Sequence, residues 1–303
     1  MKKIRDNLYY YKISKSHQEK LLDDFYVFEE KHPDLNKYIK NTVEIKNILI
    51  TIRTLQIKKE KARVINKYFL ELSKNIGKYS NCSEFACFVN ACDNILEGAK
   101  NEIKLLKKIT EKYFAKRVLN EIAPEEWVQA ILDANSSRKK GKCGENKLIH
   151  ILKKQGFNEV FGWDDFFSTD YCVVRFSKKF SLKNVRKNLK VKIKTKKQNK
   201  TLDLIIKAKD IILLCEAKHL NTSGGEQDKQ ISELIEILNL SENNGVSYIS
   251  FLDGKYSNIL LGGNGQGGKI NTQRKEIERF LNNHPANFWL NTAGFERLVS
   301  DLR

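Results

Sequence analysis

Two apolar runs, Leu202–Ile206 and Ile211–Ala217, flank the short segment Lys207-Ala208-Lys209-Asp210. Runs of this length, rich in Ile and Leu and bounded by charged residues, read as the two strands of one β-hairpin. A hairpin this apolar needs cover on both faces, which places it inside a layered α/β structure. A two-residue loop pairs Lys207 with Asp210, and a four-residue loop pairs Ile206 with Ile211. Both give the same register and set Asp203 opposite Leu214. Side chains alternate along a strand, so Leu214, Glu216 and Lys218 share one face. Asp203 falls on that face too, diagonal to Glu216 and within reach of a shared ion.

Glu216 and Lys218 interrupt a run that otherwise reads as a fully buried strand. Two carboxylates converging at the end of such a strand repel each other unless a cation joins them. Hard oxygen ligands suit Mg²⁺, which keeps several waters and takes a substrate phosphate. A lysine beside them can hold that phosphate or help deprotonate an attacking water, while the ion polarises the phosphoryl oxygen. Taken without its neighbours, the same hairpin is also a plain strand pair ending in an ion pair.

Charge supplies the neighbours. The 303-residue chain has a formal net charge of +18, and the excess is uneven. Ser136–Leu202 holds 19 Lys and Arg against 5 Asp and Glu, and from Tyr171 to Leu202 there is no acid at all. A one-signed field of this kind suits a surface that neutralises phosphates. Candidate contacts are Arg138, Lys139, Lys140, Lys142, Arg175, Lys178, Lys179, Arg186 and Lys187, with Gln227 and Gln230 facing the hairpin site. The six cysteines show no zinc or disulfide spacing and read as reduced thiols. No apolar run reaches membrane-span length and no secretory h-region follows the first lysines, so a cytoplasmic protein with no membrane partner is expected.

The pattern divides the chain at 1–135 and 136–303. The first part is helical: Ser16-His17-Gln18-Glu19 has capping-box form before Leu21, Leu22, Phe25 and Phe28. Further apolar stripes run through Val43–Ile52, Val64–Leu72, Ser83–Cys92 and Ile103–Phe114, with a fresh start at Pro124. These stripes read as core packing, and the region as a dimerisation element or a clamp. The second part mixes a helix over Gly144–Gln155 with strands at Tyr171–Phe176, Leu202–Ile206, Ile211–Ala217, Val246–Leu252 and Asn258–Leu261. Helices are expected over Glu226–Leu238 and Thr272–Leu281. The fold class is therefore mixed α/β: a helical N-terminal region followed by a core with a central mixed sheet.

Asp203, twelve residues, then Glu216-Ala217-Lys218 resembles the motif of the PD-(D/E)XK nuclease superfamily, with Leu202 where the name has proline. Gly144-Glu145 on the preceding helix resembles the extra acidic residue many members carry. The resemblance spans about Gly141 to Leu252 and implies a restriction-endonuclease-like αβββαβ core. It implies metal ligation by Asp203, Glu216 and Glu145, and a catalytic set of these three with Lys218. It further implies Mg²⁺ as cofactor, double-stranded DNA as substrate, and a type II restriction endonuclease working as a homodimer. A repair or junction-resolving nuclease with the same core, and a non-catalytic basic DNA-binding protein, are the rival readings. Gly263-Asn-Gly-Gln-Gly-Gly268-Lys269 resembles part of a phosphate-binding P-loop, but Ile270 stands where a Mg²⁺-binding hydroxyl belongs, so no nucleotide cofactor is expected.

Overall fold

The computed structural model describes residues 4–26, 31–92, 96–119, 125–134, 137–191, 193, 202–222, 224–241, 245–262 and 267–303. The chain forms two compact units, 1–27 with 138–303, and 28–137. The division near residue 136 thus appears in the structure, but the first 27 residues belong with the C-terminal unit.

Helix α1 (Asn7–Ser16) starts where the Asp6 carboxylate accepts the Tyr9 N–H at 2.8 Å. It corrects the expected capping box: Ser16 ends a helix instead of opening one, and Leu21 and Leu22 are 85% and 71% exposed. The buried side of α1 is Asn7, Tyr10, Tyr11 and Ser14, a polar and aromatic stripe that an aliphatic search passes over.

The unit 28–137 is helical, with α2 (Leu35–Ile57), α3 (Ala62–Asn75), α4 (Glu84–Ala91), α5 (Leu96–Asn101), α6 (Ile103–Lys116) and α7 (Glu125–Ala134). Its core gathers Ile45, Leu49, Ile52, Phe69, Leu72, Phe85 and Leu106 from the stripes read in the sequence, with Tyr113 beside them; Val43 and Val64 of the same stripes are exposed. Ser83 caps α4 by accepting the Ala86 N–H.

The other unit continues through α8 (Ser137–Lys154), β1 (Asn158–Glu159), α9 (Trp163–Ser168), β2 (Tyr171–Arg175), α10 (Leu182–Leu189), β3 (Leu204–Ala208) and β4 (Ile211–His219). It closes with α11 (Gly225–Leu238), β5 (Val246–Asp253), α12 (Lys255–Leu260), α13 (Gly268–Asn283), β6 (Phe288–Leu290) and α14 (Thr292–Leu302). The six strands lie in sequence order in one mixed sheet. β2, β3 and β4 form an antiparallel meander, and the remaining pairs are parallel.

Both faces of the sheet are covered. On one, Leu148 and Leu152 of α8 and Phe295 and Leu298 of α14 pack on Val173, Leu204, Ile206 and Phe251, with Tyr10 of α1 among them. On the other, Leu182 and Val185 of α10 and Ile237 of α11 pack on Cys172, Ile205, Leu214 and Tyr248. Gly294 is required where α1 meets α14, because a Cβ there would collide with the Ser14 hydroxyl. No helix among the described residues is long and apolar enough to cross a membrane.

Two expected elements differ: Asn258–Leu261 lies mostly in α12 instead of a strand, and α13 begins at Gly268 instead of Thr272. The pattern gave no sign of β1, α9, α10, β6 or α14. Phe288-Trp289-Leu290 is buried on both faces, so it carries no alternation to detect.

Tyr10 is fully buried and its hydroxyl donates to Asp301 at 3.1 Å. Tyr10→Ala should therefore cost about 3–5 kcal/mol, as other aromatic truncations in cores do. Leu21→Ala should stay within roughly 0.5 kcal/mol. Chemical denaturation of the two variants checks both, and equal costs would contradict the placement of α1.

Candidate active site

The β3–β4 pairing sets Leu204 against Cys215 and Ala208 against Ile211, joined by a two-residue turn with Lys209 at φ 55°. This register differs by two residues from the one expected. Two is even, so the side chains within the ladder keep their faces, while Asp203 falls just outside it: β3 starts at Leu204, and the Asp203 N–H bonds the carbonyl of Cys215, the ladder partner of Leu204.

Asp203 is held by backbone on both sides. Its N–H donates to the Cys215 carbonyl at 2.9 Å, and its carbonyl accepts the Phe176 N–H at 3.0 Å. Its carboxylate Oδ2 accepts the Ala217 N–H at 2.8 Å. Glu216 is 2% exposed, and the Lys218 ammonium lies 2.7 Å from its Oε1. On the far side, Glu216 pairs with Ser250, whose hydroxyl donates to the Leu234 carbonyl at 2.7 Å. That bond seats α11 above the site.

Electrostatics mark this pair as unusual. Burial lifts the Asp203 carboxyl to about 7, helped by the negative charges of Glu216 and, more weakly, Glu145; the Ala217 N–H and Lys218 pull the other way. Burial works against the charge on Lys218, yet Glu216, Asp203 and Glu233 together hold its proton more firmly than usual. Glu233, on α11 one turn past Gln230, belongs to the site and was missed. Nothing in its spacing separates it from the solvated acids Glu226 and Glu236.

Glu145 lies close enough for its charge to reach Asp203, but it is paired with Arg175, Oε2 to Nη1 at 2.8 Å. Arg175 also meets Glu159 at 3.1 Å and Asn146 at 2.7 Å. Among the described residues, Asp203, Glu216 and Glu145 do not bring three ligand atoms within 4.8 Å of one another. The expected three-carboxylate ligand set is therefore not assembled, and Asp203 with Glu216 forms its core. Their donor chemistry fits a divalent cation. Glu216 is buried and paired with Lys218, whereas Asp203 is half-buried and feels that lysine only through its charge. Added positive charge between the two carboxylates would favour the ionised form of Asp203.

A second polar cluster lies behind the site, on the opposite face of β4. The ligand oxygens of Glu19, Asp23 and Asp253 all lie within 4.8 Å, close enough to hold a metal ion. The Lys147 ammonium already sits there, 2.7 Å from Asp23, 2.8 Å from Asp253 and 3.7 Å from Glu19. His219 Nδ1 meets Asp253 at 2.9 Å, and its ring stacks on Tyr26 at 3.5 Å. Lys147 and His219 hold the Asp253 carboxyl below the usual aspartate range despite its burial. This is a cation site filled by a lysine.

The expected phosphate contacts divide. Lys142, Lys178, Lys179 and Lys187 are exposed, and Gln227 and Gln230 are half-buried on α11. Arg175 is consumed by Glu145, Glu159 and Asn146, and Arg186 donates to the Ile193 carbonyl at 3.1 and 2.6 Å. Their guanidinium groups already have partners within the fold. The side chains of Arg138, Lys139 and Lys140 lie outside the described residues, as do residues 194–200 of the basic run and 263–266 of the glycine loop.

No protein-family model, curated protein or solved structure matches the chain. The class that fold and site define is thus a mixed α/β unit with a paired-carboxylate and lysine site on a central hairpin.

Two outcomes follow. The raised Asp203 carboxyl binds a proton in the folded state between its ordinary 3.8 and about 7. Its contribution to stability is full below that window and falls as pH rises through it, by roughly 1.4 kcal/mol per pH unit at most. Asp203→Asn should therefore gain stability over the metal-free wild type as pH climbs from 4 to 7, read by urea titrations; a constant difference would reject the shift. Lys147→Met, which removes the ammonium from among three carboxylates, should lose about 3–5 kcal/mol, read by the same titration.

Proposed function

We propose that this chain is a Mg²⁺-dependent endonuclease of the PD-(D/E)XK kind, hydrolysing phosphodiester bonds of double-stranded DNA. Within that superfamily the reading is a type II restriction endonuclease, cutting at a short specific sequence as a homodimer. The observation that carries the proposal is the Asp203 carboxylate, held by the Ala217 N–H and raised in proton affinity by burial and the nearby charge of Glu216, with Lys218 paired to Glu216 two residues along β4. Around it, the order α8, β2-β3-β4 meander, α11, parallel β5 matches the αβββαβ plan that the motif implies.

Magnesium held by Asp203 and Glu216 would polarise the phosphoryl oxygen and make a water more acidic. The protein's own groups supply the rest. Ala217 fixes one Asp203 oxygen through its N–H, which orients the other. Lys218 keeps its proton under the combined charge of Glu216, Asp203 and Glu233, so it meets a scissile phosphate as a cation. The burial of Glu216 keeps bulk water away and strengthens these charges on a phosphate during in-line attack.

Purified protein incubated with plasmid and genomic DNA should yield discrete fragments with Mg²⁺ and none with chelator. Asp203→Ala and Lys218→Ala should each lower cleavage by at least about a hundredfold, a typical loss for a group acting on transition-state charge, while duplex binding persists. Wild-type protein that binds duplex but never cuts it would sink the enzyme and leave a basic DNA-binding protein. Cutting confined to branched substrates would favour a junction-resolving nuclease instead.

A further inference from the structure

Between β2 and β3 the chain builds a ridge of lysines that no described carboxylate neutralises. Lys178, Lys179, Lys183, Lys187 and Lys190 are all exposed. Among the described residues none of them forms an ion pair, and residues 171–202 contain no acid. Five cations this close repel one another, and a chain without a use for them gains by spreading them out.

The ridge is also rigidly built. Ser181 caps α10 by accepting the Asn184 N–H at 3.4 Å. Asn184 Nδ2 donates to the carbonyls of Lys178 and Lys179 at 3.3 and 2.9 Å, and Trp163 Nε1 donates to Lys179 O at 3.2 Å. Beneath, Phe180, Leu182 and Val185 are buried against the sheet. The loop backbone is thus tied down while its lysine side chains point to solvent. On α10 itself, Lys183 and Lys187 stand one turn apart, about 6 Å along the axis.

Position links the ridge to the hairpin site. The Phe176 N–H donates to the Asp203 carbonyl, so the chain leaves the sheet beside Asp203. It then packs α10 on the face that carries Asp203 and Glu216. The arginines of the same stretch turn inward, to Ile193 and to Glu145 and Glu159, leaving a surface of lysines alone. Lysine is a point charge that attracts phosphate without the fork geometry that reads a base. Residues 182–189 include no aromatic ring, so α10 offers no platform for stacking an unpaired strand.

We infer that Lys178, Lys179, Lys183, Lys187 and Lys190 form the track for the phosphate backbone of duplex DNA, gripping it independently of base sequence and leading it to Asp203 and Glu216. Its placement rests on the proposed nuclease reading, but its binding role can be measured without cleavage.

The test uses the full chain in chelator, with fluorescence anisotropy of a labelled duplex of arbitrary sequence over a series of salt concentrations. The variants are Lys178→Gln/Lys179→Gln and Lys183→Gln/Lys187→Gln, with Lys154→Gln on α8 as the control. Each double variant should weaken binding about tenfold or more at moderate salt and lower the slope of log affinity against log salt by about 2, since each lost phosphate contact removes roughly 0.9. Thermal melting should be unchanged, because the altered side chains are exposed. Lys154→Gln should leave the slope nearly as it is. Wild-type slopes in both doubles would overturn the track, and so would a lysine-dependent preference for single-stranded DNA or RNA over the duplex. Loss of slope in both doubles, with a wild type that does not cut DNA with Mg²⁺, would retain the track and reject only the hydrolase.

Discussion

The antiparallel pairing of β3 with β4 carries the chemistry of this protein. One backbone bond at the end of the ladder, from the Asp203 N–H to the Cys215 carbonyl, and one side-chain bond, from the Ala217 N–H to Asp203 Oδ2, fix a carboxylate beside Glu216. If the pairing slipped by one residue, Asp203 would turn to the face packed by α8 and α14, and an apolar side chain would take its place. The hydrophobic sets on the two faces, Leu204 and Ile206 on one and Ile205 and Leu214 on the other, forbid that slip. Burial of the core thus sets the geometry of the polar site, at the cost of holding two carboxylates together.

β4 serves two polar clusters with consecutive residues. Glu216 and Lys218 face the hairpin site, and His219 faces the cluster of Asp253, Lys147, Glu19, Asp23 and Tyr26. In the second cluster a lysine from α8 supplies the positive charge, and the N-terminal segment supplies two carboxylates and the ring stacked on His219. A buried ion network of this kind ties α1 and its following segment to the strand ends behind the proposed active site. Its cost in desolvation is offset only while every partner stays in place. The contrast is instructive: the rear cluster carries its own cation, whereas the front pair shares Lys218 and leaves Asp203 with a raised affinity for a proton.

The basic residues show why charge counts need a structure. Arg175 and Arg186 lie in the most basic part of the chain, yet their guanidinium groups act as internal braces to Glu145, Glu159 and Ile193. Planar, multidentate guanidinium suits that task, and the compact ammonium of lysine suits an exposed field. Sequence ranks the two alike; packing separates them.

The sequence by itself determined the central hairpin, the shared face of Asp203, Glu216 and Lys218, the helices α2, α3, α4, α6 and α11, and the mixed α/β class. These follow from local periodicity, turn residues and parity, which act over a few residues. It did not reveal that α1 belongs to the sheet-bearing unit, because Asn7 and Tyr10 find their partners some 274 to 291 residues away, at Leu281, Asn287 and Asp301. It missed β6, whose burial on both faces erases any period, it also missed α14, and it left α10 inside an undivided basic run. Only the tertiary structure decided that the Asp203 carboxylate is held by the Ala217 N–H, that Arg175 engages Glu145, and that the charge of Glu233 reaches Lys218. Each depends on the exact register of a ladder or the seating of a helix by one distant hydrogen bond, and no local pattern encodes such long-range contacts.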